Sequence, residues 1–231
     1  MHHFIFPNQD TWISSGSSTI DGESFKDQNF GRDQILEVKK EFYNSSFNFP
    51  TRALVQFSGD EFTELSKSIA DGTIPPPLSA TGAGTVGGNS KIYLRLYEAE
   101  GNAEMTEEYK LAIRPISQSW TEGTGKFGDK PKNTNGCSWE NRSNPLGGTA
   151  VTWVNTGTTI LTVSQSNQSF ANQSPDVNVD VTNMFRMWYE GKEENYGMLL
   201  NFSGSQETDS TTFGHLKFFS KQTHTIYQPR L

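Results

Sequence analysis

The sequence predicts an all-β fold, an antiparallel β-sandwich of jelly-roll type with one short helix near 182–190. Three observations predict it. Short segments of alternating apolar and polar residues recur from the start of the 231 residues to their end, clusters of turn residues separate them, and one stretch alone reads clearly as a helix. Two antiparallel sheets packed face to face bury such alternating positions, because each strand turns one side inward.

Asp10-Thr11-Trp12-Ile13 opens the series of strands. Residues 34–39 alternate loosely, and Arg52-Ala53-Leu54-Val55-Gln56-Phe57 alternates more strictly. In 91–97, Ile92, Leu94 and Leu96 fall on one face while Tyr93, Arg95 and Tyr97 fall on the other, which describes a half-buried strand. Residues 109–114 repeat that pattern, and further strand-like segments follow at 150–154, 159–164, 177–181, 198–202 and 216–220. The one helical stretch starts at Thr182 as N-cap, carries a stripe of Met184, Phe185, Met187 and Trp188, and stops at Gly191. It is too short to stand alone, so it packs against a sheet edge.

Composition agrees with a sandwich. Residues 1–231 fall within the range that forms one domain with a substantial core. Hydrophobic residues make up only 33%, yet 16 Phe, 7 Tyr and 5 Trp supply large buried areas, so the core is aromatic-rich. Mean hydropathy is -0.62 with 19% charged residues, a polar but sparsely charged surface that suits an extracellular or particle-bound protein. The net charge of -7 argues against nucleic acid or an anionic membrane as the main partner, and no basic run exceeds Lys39-Lys40.

Cys137 is the one cysteine, so the chain forms no internal disulfide and no cysteine metal cluster. Its flanks, Asn135-Gly136 and Ser138-Trp139, offer no base, which favours a small buried thiol over a nucleophile. Residues 1–7 lack the apolar core of a signal peptide and no run reaches transmembrane length, so a cytoplasmic product is expected.

Long loops are expected at about 79–90, 121–145 and 165–175. The first is built from Gly, Ala, Thr and Ser and reads as a flexible excursion. The second carries Phe127 and Trp139, apolar anchors that imply it packs down on something. The third is rich in Ser, Asn and Gln around Phe170.

Asp10-Thr11-Trp12-Ile13-Ser14-Ser15-Gly16, Asn29-Phe30-Gly31, Arg52 to Phe57, Ile92 to Tyr97, Ser119-Trp120-Thr121-Glu122-Gly123, Asp180-Val181-Thr182 and Asn195 to Leu200 resemble, in that order, the DNRLRE domain family. The resemblance spans nearly the whole chain and implies a jelly roll similar to carbohydrate-binding modules. That family usually occurs as a module of large extracellular proteins, whereas here it takes up the entire sequence. Phe4 to Asp10, Arg114 to Gly125 and Thr223 to Leu231 are also similar to virion structural proteins of tailed bacteriophages.

The reading favoured on this basis is a non-enzymatic virion component in the head, neck or tail, docking onto neighbouring virion subunits as symmetry-related copies. The strand-like segments at 1–7 and 225–231 either add to a partner's sheet or pair within the domain, as the family's first and last strands do. The alternative is a carbohydrate-binding module for a cell-surface polysaccharide, with Trp120, Trp139 and Trp153 as platforms and Glu122 and Glu140 as polar partners. Against it, the family's tryptophans at positions like Trp120 and Trp153 fill the core. Glu122 with Glu140, or Asp176 with Asp180, would serve as acid and base in an enzyme, but 26 carboxylates produce such pairs by chance. His2, His3, His215 and His224 show no metal-binding spacing, and no cofactor is expected. Asp10 stands where similar jelly rolls sometimes place a calcium ligand, although capping the strand or turn is the simpler role.

Overall fold

The computed structural model of the protein describes residues 2–17, 22–43, 47–77, 90–100, 108–171 and 176–231. Twelve strands and two α-helices lie among them: β1 Gln9–Ser14, β2 Ile35–Tyr43, β3 Phe47–Gln56, α1 Asp60–Ala70, β4 Tyr93–Leu96, β5 Glu98–Glu100, β6 Glu108–Pro115, β7 Asn141–Ser143, β8 Val151–Thr152, β9 Ser166–Ala171, β10 Val177–Asp180, α2 Thr182–Tyr189, β11 Met198–Phe202 and β12 Gly214–Phe219. A 3₁₀ turn spans Gly204–Glu207. The fold is an all-β sandwich built from antiparallel, curled sheets.

The large sheet runs β5-β12-β2-β3-β11-β6-β9. β1 joins it by pairing Gln9–Ser14 with residues 56–51 of β3, on the edge opposite β11, so β1 and β2 share one side of the long strand β3. The small sheet starts as the pair β10-β4. Two more segments extend it. Arg230 and Arg95 exchange backbone hydrogen bonds at 2.8 and 3.1 Å, and Leu231 and Ile5 exchange two at 3.1 Å. The segments near residues 5 and 231 therefore pair with each other inside the fold.

Alternation explains which side of each strand turns inward. Leu36 and Val38, Ala53 and Val55, Leu111 and Ile113, Met198 and Leu200, and Leu216 and Phe218 face the main core from the large sheet. Leu94, Leu96, Val177 and Val179 face it from the small one. Each of these Val, Leu, Ile, Met or Phe side chains, fully buried, contributes roughly 1.5–3 kcal/mol of apolar transfer. The helices close the same core: Met184, Phe185 and Trp188 of α2 join Leu65 and Ile69 of α1, and Phe62 meets Phe185 with ring centroids 5.1 Å apart.

A second core covers the opposite face of the large sheet. Leu54 and Leu199, one residue out of step with the main-core positions, pack with Ile13, Ile116, Trp120, Cys137, Trp139 and Trp153. The long connection expected at 121–145 thus packs down on the sheet, and strands β3 and β11 are buried on both sides.

Four local expectations change. Helix α1 replaces an unassigned stretch: Phe62, Leu65 and Ile69 form its inward stripe, with Asp60 and Glu61 in the first turn. Part of the expected loop 165–175 is strand β9, paired with β6 from Ser166 to Ala171. Residues 159–164 make a single bridge, Ile160 to Ile116, rather than a strand. Thr182 is not the N-cap of α2, because that position is Val181. The Thr182 hydroxyl instead accepts the Ile92 N–H at 2.9 Å and ties the helix to the start of β4. Gly191 does end α2, with φ +66 and its N–H bonded to Trp188 O at 3.1 Å. The expected excursion at 79–90 lies, up to residue 89, outside the described residues.

Candidate functional site

Motif segments far apart in sequence meet beside the start of β1, and Asn29 is their hub. Its side chain is fully buried and uses every hydrogen-bonding valence. Nδ2 donates to Glu122 O and to Cys137 O, each at 2.7 Å, and Oδ1 accepts Gly31 N–H at 3.1 Å and Gly125 N–H at 2.8 Å. Its backbone N–H donates to Asn133 O at 2.8 Å. The strands of this knot touch backbone to backbone. A Cβ on Gly31 would lie 2.1 Å from Glu122 O, and one on Gly123, whose φ is +86, would lie 2.1 Å from Asn135 O.

An ionic cluster sits next to the knot. The Asp10 N–H donates to Glu122 Oε1 at 3.1 Å, and the same oxygen faces Lys221 Nζ at 3.1 Å and accepts Gln222 Nε2 at 3.4 Å. Asp10 Oδ2 accepts the Lys221 N–H at 2.6 Å. Asp10 is 1% exposed. Burial pushes its carboxyl up to about 7, against the opposing Lys221 N–H bond, and the nearby charge of Glu122 adds to the rise. The carboxylates of Asp10 and Glu122 thus fasten the 220–222 segment and the 121–125 loop to β1. Among the described residues, no group of three or more His, Cys, Asp or Glu is placed to hold a metal ion.

The three tryptophans that the alternative reading offers as a sugar platform are buried. Trp120, Trp139 and Trp153 are 6%, 9% and 4% exposed, because the second core needs their area to cover the outer face of β3 and β11. Their polar ends are used internally: Trp120 Nε1 donates to Tyr196 O at 2.8 Å and Trp153 Nε1 to Ser138 O at 2.9 Å. Trp139 lies under the Arg52 guanidinium, 4.8 Å from the ring centroid. Arg52 in turn grips Glu207 and the carbonyl of Gly157.

The other sequence candidates are dispersed. Glu140 is exposed, whereas Glu122 is held in the cluster above. Asp176 Oδ1 accepts the Glu98 N–H at 2.7 Å and Asp180 Oδ1 accepts the Thr182 N–H at 2.9 Å, so both serve the backbone. Cys137 is fully buried, and burial pushes its thiol far above the usual range. His215 is on β12, and His224 lies outside any strand. Lys221, Gln222 and Arg52 were not legible as site residues, because nothing in their local sequence marks the partners that reach them from afar.

A further buried charge behaves the same way. The Lys40 ammonium is wholly inaccessible and donates to Gln206 O at 2.7 Å, to Asp209 O, and to Asp209 Oδ1 at 2.8 Å. No described helix is long and apolar enough to cross a membrane. Compared with protein-family models, with curated proteins and with solved structures, the chain matches none of them.

Proposed function

We propose that the chain is a non-enzymatic structural component of a tailed-phage virion, a head decoration, neck or tail accessory protein that docks as a rigid body onto neighbouring subunits. The reading starts from the resemblance of residues 4–10, 114–125 and 223–231 to such proteins. The observation that carries it is the use made of buried charge. Lys40 with Asp209, Arg52 with Glu207, and Asp10 with Glu122 and Lys221 each pin a loop to the sandwich. Polar groups spent on fixing loops favour a shape held constant for assembly.

Side chains left outside supply contact area. Leu146 is 91% exposed and Ile226 82%. Copies repeated by the particle's symmetry would multiply weak contacts of this kind. The virion is the expected location, and other virion proteins are the expected partners.

The test is co-sedimentation of the purified chain with assembled particles from its source, with a polysaccharide panel as competitor. Stoichiometric attachment that ignores the glycans is expected. A chain that leaves the particles in the supernatant and binds one polysaccharide would overturn the reading in favour of a glycan-binding module.

A further inference from the structure

The outer face of the small sheet carries two arginines side by side, with Asp180 on the same face diagonal to Arg95. Arg95 and Arg230 exchange both backbone hydrogen bonds, so they stand directly opposite each other. Their neighbours Leu94, Leu96 and Leu231 point into the core, which turns both arginines to the outer side. Like charges directly opposite on paired strands are destabilising, and a guanidinium does not shed its proton to relieve them. Among the described residues, no carboxylate pairs with either one. Arg230 instead bonds the Tyr97 hydroxyl and lies over two rings, 4.6 Å from the centroid of Phe4 and 5.0 Å from that of Tyr97.

Arg95 also borders a cleft of about 500 Å³, within the size range of ligand pockets. Leu65, Ile69 and Ile92 form part of its apolar floor, Lys91 stands on its rim, and no Asp or Glu lines it. On a chain of net charge -7 the lining of the cleft itself carries only positive charge, while at its rim Lys91 also meets Asp180 at 4.0 Å. Tyr, Phe and Arg around an apolar depression are also the residue types that dominate protein interfaces.

We propose that this face docks an acidic, apolar segment of a neighbouring protein, its carboxylates meeting Arg95 and Arg230 and its apolar side chains entering the cleft. The proposal rests on the docking role above only in taking the occupant to be a protein. A paired carboxylate would convert the cross-strand repulsion into two charge-assisted contacts.

The test titrates the full chain with a hexapeptide of alternating Glu and Leu, and with its Gln-for-Glu analogue, at low and at high salt. The Glu peptide is expected to bind roughly tenfold more tightly than the analogue, and the gap should shrink with salt. Arg95→Gln should abolish that preference and leave the melting temperature unchanged or higher, because it removes a repulsion. Arg95→Lys, which keeps the charge, should retain most of the preference. Equal affinity for the two peptides, an Arg95→Gln variant that still prefers the Glu peptide, or one that melts markedly lower would each overturn the proposal. So would tighter binding of laurate or of a heparin oligosaccharide than of the Glu peptide. A chain that attaches to particles yet ignores both peptides sinks this inference and leaves the virion reading standing.

Discussion

Arg52 meets Glu207 through two parallel hydrogen bonds, Nε to Oε1 at 2.7 Å and Nη2 to Oε2 at 3.0 Å, while its flat face covers Trp139. The guanidinium thus joins β3, the 3₁₀ turn and the second core at one point. Arg52→Ala should cost about 3 kcal/mol, since it leaves a largely buried Glu207 without its ion pair. Arg52→Lys should recover less than half of that, because an ammonium neither forks nor stacks. Urea unfolding of the variants measures both, and a loss below about 0.5 kcal/mol for Arg52→Ala would show the pair to be incidental.

Asp10 makes stability depend on pH in a defined direction. Its folded carboxyl titrates near 7 against 3.8 as a free group, so the folded state holds a proton that the unfolded state has released between those values. Its contribution is fully present below about pH 4, declines as pH rises to about 7 and is flat beyond, a change on the order of 4 kcal/mol. Asp10→Asn keeps an acceptor for the Lys221 N–H and removes the titration. The variant should gain on the parent steadily from pH 4 to pH 8, and a constant difference across that range would refute the assignment.

The Asn29 knot tolerates little change. Asn29→Asp preserves shape but turns two donors into acceptors aimed at the carbonyls of Glu122 and Cys137. A loss of roughly 3 kcal/mol or more is expected, read from the denaturation midpoint. Gly123→Ala should be at least as damaging, because its Cβ would strike Asn135 O.

Thr158 holds a φ of +97 with a buried hydroxyl that has no hydrogen-bond partner. A β-branched residue in that region is strained. Thr158→Gly should therefore stabilise the fold by about 1 kcal/mol. Calorimetry decides it, and a lower melting temperature would mean that the packing of the threonine methyl outweighs the strain.

Cys137 should resist a disulfide reagent such as Ellman's in the folded state and react at once in denaturant, since burial both shields the thiol and keeps it protonated. Stoichiometric labelling of the native chain would contradict its place in the second core.

Strands that bury one face were legible because their alternation is chemical. Leu94 and Leu96 alternate with Tyr93 and Arg95, and the sheet reads out as written. Strand β9 was not, for a physical reason. Its Ser166 and Gln168 reach across to backbone groups of β10 and of the residue before it, hydroxyl to Asp180 O at 2.7 Å and amide to Asp176 O at 2.9 Å, so polar residues do the work that apolar ones do elsewhere. In α1, a stripe of three apolar residues is diluted by eight polar or small ones. The motif residues Asn29, Glu122 and Gly123 were visible as a set, but their convergence on Asp10 and Lys221 is a property of the packed loops. Trp120 and Trp153 lie in the core, the role the resemblance favoured, whereas the composition alone did not separate that role from a platform, because an aromatic looks the same in sequence whether it faces solvent or a second core.

Among the described residues, the small sheet contains no local hairpin. Strand β4, strand β10, Arg230 and Ile5 come from four distant parts of the chain, and each pairing closes a long loop before it returns any contact. Such pairings form slowly and late. Arg95 and Arg230 stand opposite each other only after the 134 residues between them have folded back, so the face they build reports the late, long-range closure of the small sheet.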